Sequence, residues 1–144
     1  MEYKTNINYR KEKLKKLLHC IEDNENEIVE ALYDDFKKHA FEAVITETNY
    51  VISELKETIK NIHKWAKSEK VFPSILNFPS TDYIYKEPYG KVLIIAPWNY
   101  PFQSALCPLV SAVSAGNQVV LKPSELTPKT SALIAKIIAS SFHP

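Results

Sequence analysis

The sequence predicts an α/β protein in which N-terminal helices precede the first βαβα unit of a doubly wound parallel sheet, and this sheet is incomplete. Residues 1–70 hold 13 of the 18 Lys and Arg residues and 14 of the 17 Asp and Glu residues, which is typical of solvated helices. After residue 82, apolar runs and turn residues alternate in the order strand, turn, strand, helix, strand, helix. This second half resembles elements that are buried on more than one face, as in a parallel sheet covered by helices.

Three helices are predicted in the first half, where neither Gly nor Pro interrupts the chain before residue 73. The first runs over residues 10–22. Asn24, followed three residues later by Glu27, predicts an N-cap and a capping box for a second helix that extends to about Lys38. The third is predicted from about Phe41 to Ser68. Their expected apolar faces are Leu14, Leu17, Leu18 and Ile21; Ile28, Leu32, Tyr33 and Phe36; and Val44, Ile45, Val51, Ile52, Leu55, Ile59, Ile62 and Trp65.

The middle of the chain predicts an irregular connection and then a short strand. Pro73 and Pro79 mark the irregular part. The alternating segment Asp82–Lys86 predicts a strand, and Glu87–Gly90 predicts a turn.

A continuous apolar run, Lys91–Ala96, predicts a buried strand that leads into a helix over Pro101–Ala115. Gly116 follows as the expected C-terminal stop of that helix. Pro108 lies inside the segment, so we expect either a kink or a late helix start there.

A second apolar strand is predicted over Gln118–Leu121, and Thr127 and Pro128 are a suitable N-cap and first position for a helix that runs to about Phe142. Two parallel strands leave a sheet edge uncovered and cannot complete a nucleotide-binding fold. We therefore expect the chain to be the N-terminal piece of a longer protein.

The composition excludes several classes of protein. A net charge of +1 does not favour nucleic acid or an anionic membrane as a partner, and no apolar run approaches the roughly 20 residues needed to span a bilayer. The charged N-terminus is not a secretory signal, so Cys20 and Cys107 are interpreted as reduced thiols of a cytoplasmic chain. The histidines and cysteines show no spacing typical of a metal site.

Polar residues follow both predicted strands of the parallel unit. Ligands bind beyond the carboxyl ends of such strands, and here the two ends deliver Trp98-Asn99-Tyr100 and Lys122-Pro-Ser-Glu125. Both turns should lie on the same edge of the sheet. Taken alone, Asn99 is best explained as the residue of an Asx-turn before a helix. For Lys122–Glu125, a capped loop with exposed charges is the alternative.

The stretch "PYGKVLIIAPWNYPFQSALCPLVSAVSAGNQVVLKPSELTP" resembles the N-terminal part of the NAD(P)-dependent aldehyde dehydrogenases. Its "PWNYP" form and the short helical N-terminus are similar to the fatty-aldehyde, or class 3-like, branch. The resemblance implies a Rossmann-like fold, oxidation of an aldehyde to a carboxylic acid with NAD or NADP, and a homo-oligomer. It divides the chain into an N-terminal helical segment (1–79), a strand and turn of the oligomerisation arm (80–91) and a partial dinucleotide-binding domain (92–144).

The resemblance also implies roles for residues at the two turns. Asn99 matches the asparagine of the oxyanion hole, Trp98 an aromatic residue beside the nicotinamide, and Tyr100 the wall of the substrate tunnel. For both aromatic residues, plain packing is an alternative.

At the second turn, Lys122 and Glu125 match the pair that holds the adenosine ribose, and Ser124 could add a hydrogen bond. A carboxylate at this place disfavours the 2′-phosphate of NADP.

The family's catalytic cysteine, its glutamate base and its glycine-bearing phosphate turn have no counterpart in this sequence. Cys107 lies in an apolar helix without an adjacent base, so burial is expected to raise its pKa and it is not a candidate nucleophile. We therefore expect the chain by itself to be inactive as an aldehyde dehydrogenase. A noncatalytic binding module or a remnant derived from this fold is the alternative.

Overall fold

The computed structural model describes residues 6–142, in which the N-terminal helices, here called the helical layer, pack against the two helices of a parallel βαβα unit. Most of the elements follow the predicted order. The helices are α1 (Ile7–Asp23), α2 (Glu25–Phe36), α3 (Ala40–Ala43), α4 (Asn49–Trp65), α5 (Pro101–Ser114) and α6 (Pro128–Phe142). The strands are β1 (Glu69–Val71), β2 (Asp82–Ile84), β3 (Lys91–Ile95) and β4 (Gln118–Lys122).

The core joins the N-terminal helices to the two helices of the parallel unit. α1 packs against α4, α5 and α6, while α4 packs against α5 and α2 packs against α6. The apolar stripe predicted for α1 is confirmed, because all four of its residues are buried. The largest fully buried side chains are Leu14, Leu17, Ile21, Ile28, Leu32, Leu55, Ile62, Phe102, Leu106, Ile134, Ile137 and Glu47.

The predictions for the second helix were partly wrong. Asn24 precedes α2 but makes no capping hydrogen bond, and the predicted capping box with Glu27 is absent. Its amide nitrogen instead donates to the Cys20 carbonyl oxygen, 2.7 Å away, so this side chain ends α1 rather than starting α2. Tyr33, predicted on the apolar face, is 52% exposed, and Lys37 ends the helix with a positive φ of 58°.

The predicted third helix is divided. A π-helical segment, Val44–Thr48, separates α3 from α4, and the helix ends at Trp65 rather than Ser68. The wider π turn changes which side chains face inward. Ile45 and Trp65 were predicted on the apolar face but are exposed, whereas Glu47 and Thr48 are fully buried.

A short antiparallel hairpin follows the helical layer. β2 is shorter than predicted, and it pairs with β1, a strand that the sequence did not predict. Val71 lies opposite Asp82, and Glu69 opposite Ile84. The connection between the strands contains a single 3-10 turn, Ile75–Asn77, in agreement with the irregular segment expected around Pro73 and Pro79.

The parallel βαβα unit is confirmed. β3 pairs with β4 in parallel along its whole length, and α5 connects the two strands. Gly116, two residues after the end of α5, has a positive φ of 94°, as expected for a residue that stops a helix. α5 begins at Pro101 and continues past Pro108, so the alternative of a late start was wrong.

Within residues 6–142, other elements cover only one face of the sheet formed by β3 and β4. Val92, Ile94, Val119 and Leu121 lie on the inner side, and the latter three pack against the core. The outward side chains Leu93, Ile95 and Val120 are 62%, 66% and 61% exposed. The expectation of burial on more than one face is therefore wrong for this part of the sheet.

The start of α6 is held by a residue from the N-terminal layer. Asp35 of α2 accepts hydrogen bonds from the backbone N–H groups of Lys129 and Thr130 at 3.2 and 2.8 Å, and from the Thr130 hydroxyl at 2.8 Å. These are the amides that an N-cap side chain usually satisfies. The predicted cap, Thr127, instead donates its hydroxyl to the Ser124 carbonyl oxygen at 3.2 Å.

Replacing Asp35 by alanine is expected to lower the free energy of unfolding by about 0.5–2 kcal/mol, because two amides at the start of α6 lose their acceptor. The matched control is Asp34→Ala, the same chemical change at an exposed neighbour in the same helix turn. Urea denaturation followed by circular dichroism measures both. Equal losses in the two variants would contradict the capping role.

Candidate functional site

The two polar turns lie side by side at one edge of the parallel sheet. Ile95 is the register partner of Lys122, and the backbone N–H of Ala96 donates to the Lys122 carbonyl oxygen at 3.0 Å. The chain leaving β3 therefore starts next to the chain leaving β4. The expectation that both turns share one edge is confirmed.

Asn99 lies exposed in the turn between β3 and α5. An Asx-turn would use the backbone N–H two residues on, but that residue is Pro101, which has none. The N–H of Phe102 donates elsewhere, and no side-chain hydrogen bond of Asn99 occurs within residues 6–142. The turn-forming alternative for Asn99 is therefore wrong, and its amide faces solvent at the sheet edge.

The aromatic residues on either side of Asn99 contact the end of α2 and the residues after it. The Trp98 ring stacks on Phe36, with ring centroids 6.3 Å apart and an interplanar angle of 30°. The ammonium group of Lys38 lies 4.6 Å from the centroid of the Tyr100 ring, which is a cation–π distance. Packing therefore accounts for one contact of each ring, while Trp98 remains 52% and Tyr100 39% exposed.

The start of α5 is held by Glu47, whose side chain is fully buried. Its Oε2 accepts the backbone N–H groups of Phe102 and Gln103 at 2.9 and 3.1 Å, and its Oε1 accepts from Lys38 Nζ at 2.5 Å. Tyr100, the residue at the N-cap position, offers no capping acceptor. Removing one partner of such a buried ion pair typically costs about 3–5 kcal/mol.

Glu47, Lys38 and Asp35 were not predicted from the sequence as residues that hold the site. Two signals could have found Glu47. It lies four residues before Val51 in the helical stripe, where a carboxylate must be paired to be buried. In addition, the Tyr100-Pro101 start of α5 contains no Ser, Thr, Asp or Asn to satisfy the first amides, so an acceptor must come from elsewhere in the chain.

The second turn presents an ion pair to solvent. Lys122 Nζ and Glu125 Oε2 are 2.7 Å apart, and their side chains are 56% and 76% exposed. The hydrogen bond from Lys122 lowers the pKa of the Glu125 carboxyl. Ser124 is buried, and its hydroxyl accepts from the Leu126 N–H at 3.2 Å, which favours a role in shaping the loop. Its contact with a cofactor stays a prediction.

Cys107 does not have the surroundings of a nucleophile. Burial, and secondarily the charge of Glu54, raises the pKa of its thiol to about 11. Both cysteines are free thiols. No group of three or more His, Cys, Asp or Glu side chains among residues 6–142 is arranged to hold a metal ion.

The sequence profile of the aldehyde dehydrogenase family matches residues 3–144, almost the whole chain. The chain belongs to the aldehyde dehydrogenase family. The resemblance carried by the turns after β3 and β4 is thereby confirmed.

Individual relatives agree with this assignment. The chain is 46% identical over 136 residues to the 4,4'-diaponeurosporen-aldehyde dehydrogenase of Staphylococcus aureus, a match that covers 94% of this chain and 30% of that protein. It is 41% identical to aldehyde dehydrogenase family 3 member H1 of Arabidopsis thaliana, with 94% and 28% covered. The likeness to family 3 members supports the class 3-like branch. The chain therefore spans about 30% of the length of the curated relatives it matches.

Solved structures show the same relationship. The substrate-bound state of Staphylococcus aureus AldH superposes with a TM-score of 0.92 at 45% identity, covering 96% of this chain and 30% of that one. An NAD+ complex of a Bacillus cereus aldehyde dehydrogenase superposes with a TM-score of 0.83 at 24% identity, which shows a shared fold alone.

None of the helices within residues 6–142 is both long and apolar enough to cross a membrane.

The raised pKa of Cys107 predicts a thiol that is alkylated slowly at neutral pH. In a Cys20→Ser variant, where Cys107 is the only cysteine, about one thiol in a thousand is ionised at pH 8, and the thiolate is the reactive form. Iodoacetamide should label it about two orders of magnitude more slowly than in the urea-unfolded chain, with a rate that rises towards pH 11. Equal labelling rates at pH 8 would contradict the assignment.

Proposed function

We propose that this chain is the N-terminal part of an enzyme that oxidises aldehydes to carboxylic acids with NAD or NADP. One observation carries the proposal: Asn99 and the pair Lys122–Glu125 are exposed on adjacent turns at the carboxyl ends of two parallel strands. This is the edge where open α/β sheets bind ligands. The motifs "PWN" and "KPSE" of the family coincide with these two turns.

Asn99 is the proposed donor of the oxyanion hole. When a thiolate attacks an aldehyde, negative charge develops on the carbonyl oxygen, and a side-chain amide can donate a hydrogen bond to it without changing its own protonation state. A preorganised donor of this type contributes about 2.7–4 kcal/mol to transition-state stabilisation. Trp98 and Tyr100, on either side, would line the nicotinamide and aldehyde sites.

Lys122 and Glu125 suit the adenosine ribose. A carboxylate accepts hydrogen bonds from the two ribose hydroxyls, and an ammonium group can donate to the same sugar. Both side chains are exposed, so a ligand can reach them. The bound dinucleotide would supply the hydride acceptor for the oxidation.

The phosphates of the dinucleotide would have to be held elsewhere. Helix N-termini commonly bind phosphate groups. At the N-termini of α5 and α6, however, Glu47 and Asp35 already accept the backbone N–H groups. Two carboxylates at these helix ends would also repel phosphate. We infer that sequence following residue 144 provides the phosphate turn, the nucleophilic cysteine and the glutamate base.

The remaining parts of the proposal concern assembly and location. We place the division between a helical segment, an oligomerisation arm and a partial dinucleotide domain near residues 80 and 92, with the β1–β2 hairpin in the arm. A two-stranded hairpin whose outer edges are unpaired within residues 6–142 favours pairing with a second copy, so the enzyme is proposed as a homo-oligomer. The two free thiols favour a reducing cytoplasm.

The reading frame beyond residue 144 tests the proposal at the sequence level. A continuation that carries a Gly-rich turn, then a glutamate and a cysteine motif, is the expected result. A stop codon directly after residue 144 would overturn it and favour a noncatalytic binding module.

In the full-length enzyme, Asn99→Ala should lower kcat by about 10²–10³-fold, because the developing oxyanion loses a donor. Thermal unfolding should be unchanged, since the side chain is exposed and unpaired within residues 6–142. NADH formation measured at saturating aldehyde reports kcat. The control is Asn8→Ala, at an exposed asparagine in the first turn of α1. An unchanged kcat in the Asn99 variant would contradict the assigned role.

Glu125→Gln tests the ribose site. We expect KM for NAD to rise roughly tenfold, because hydrogen bonds to a charged acceptor are the stronger ones. The ratio of kcat/KM for NADP to that for NAD should rise, since the negative charge facing the 2′-phosphate is gone. Glu87→Gln, at an exposed residue of the irregular segment before β3, serves as the control. Equal cofactor preference in the two variants would argue against the assignment.

A further inference from the structure

We propose that Glu47, Lys38 and Phe36 are positioning residues that set the direction of the Asn99 side chain by fixing both sides of its turn. This inference rests on the proposed function, because it assigns these three residues to the oxyanion donor. They act through the backbone and the aromatic neighbours of Asn99.

The turn that carries Asn99 is not held by its own backbone. Pro97 and Pro101 bracket it, and the last strand-side hydrogen bond before it is from the Ala96 N–H to the Lys122 carbonyl oxygen. The next backbone bond runs from the Ser104 N–H to the Tyr100 carbonyl oxygen. Within residues 6–142, no backbone–backbone hydrogen bond originates from an amide between these two donors.

Contacts from one short stretch of chain, Phe36–Glu47, hold the turn instead. Phe36 stacks on Trp98, the Lys38 ammonium lies over the Tyr100 ring, and Glu47 accepts the first amides of α5. Asn99 is the residue between the two clamped rings.

Lys38 and Glu47 act as one unit. Lys38 Nζ donates to Glu47 Oε1, while Glu47 Oε2 accepts both backbone N–H groups of α5. One oxygen therefore binds the ammonium group and the other binds the start of the helix. Their side chains are 7% and 0% exposed, so the ion pair is shielded from solvent. The same ammonium group that neutralises Glu47 therefore fixes Tyr100.

The backbone on both sides of this unit is specialised for the arrangement. Lys37, between Phe36 and Lys38, has a φ of 58°, a left-handed conformation that is uncommon for residues other than Gly and Asn. Glu47 itself lies in the π-helical segment, a type of insertion that occurs frequently at functional sites. Both irregularities lie in the segments that supply the contacts to the turn.

A double-mutant cycle in the full-length enzyme tests the proposal. Glu47→Gln should lower kcat by about tenfold to a hundredfold, since small misplacements of a catalytic group have effects of this size, while KM for aldehyde and for NAD stay within about twofold. In the Asn99→Ala background, the same substitution should lower kcat by less than about twofold, because the group that it positions is already absent.

Asp35→Asn is the matched control, because Asp35 caps α6 as Glu47 caps α5. Its effect on kcat should be the same factor with and without Asn99. Phe36→Leu is the second test variant, since it removes the ring stack on Trp98 without changing the buried charge, and it should be non-additive with Asn99→Ala. Near-ultraviolet circular dichroism and thermal unfolding report whether each variant is folded.

Equal kcat factors for Glu47→Gln in the two backgrounds, or an unchanged kcat, would overturn the inference. If Glu47→Gln does not fold, additive behaviour of Phe36→Leu overturns it and non-additive behaviour supports it. Failure of the proposed function is distinguishable, because then the unmodified full-length protein lacks aldehyde oxidation or Asn99→Ala leaves kcat unchanged.

Discussion

A carboxylate without solvent exposure is stable inside a protein only when charged and polar groups surround it, and Glu47 meets this constraint with three donors. Two are backbone amides of α5 and the third is the Lys38 ammonium. The donors come from segments far apart in the sequence. Their arrangement therefore requires the helical layer and the parallel unit to be assembled together, and loss of the Lys38 ammonium would remove the donor of the buried Glu47 Oε1.

The same constraint recurs one strand further along the sheet. α5 and α6 both begin with a proline after a strand-to-helix turn, and in both the next two amides donate to a carboxylate of the N-terminal layer. Asp35 serves α6 as Glu47 serves α5. Because each helix start immediately follows one of the polar turns, the helical layer fixes the edge of the sheet where ligands are expected. It also occupies the two helix ends where phosphates commonly bind.

The sequence predicted the elements with strong periodicity and missed those that depend on distant contacts. The α1 stripe, the parallel pairing of β3 and β4 and the shared edge of the two turns followed from local patterns. The π-helical segment, the exposed Ile45 and Trp65 and the strand β1 did not, because each depends on partners outside its own segment. For the candidate site, Asn99, Lys122 and Glu125 came from motifs, whereas Glu47, Lys38 and Asp35 required tertiary structure. A carboxylate on a buried stripe and a helix start without a capping residue were the signals available in advance.

Native-state hydrogen exchange of the backbone amides of Phe102 and Gln103, observed by NMR in the isotope-labelled chain, tests the central claim most directly. If the buried Glu47 carboxylate accepts both backbone N–H groups, they should exchange at least roughly a hundredfold more slowly than the backbone N–H of the exposed residue Asn99. Glu47→Ala should abolish that difference. Exchange of these two amides as fast as that of Asn99 in the unmodified chain would show that the start of α5 is not held in this way, and would contradict the account.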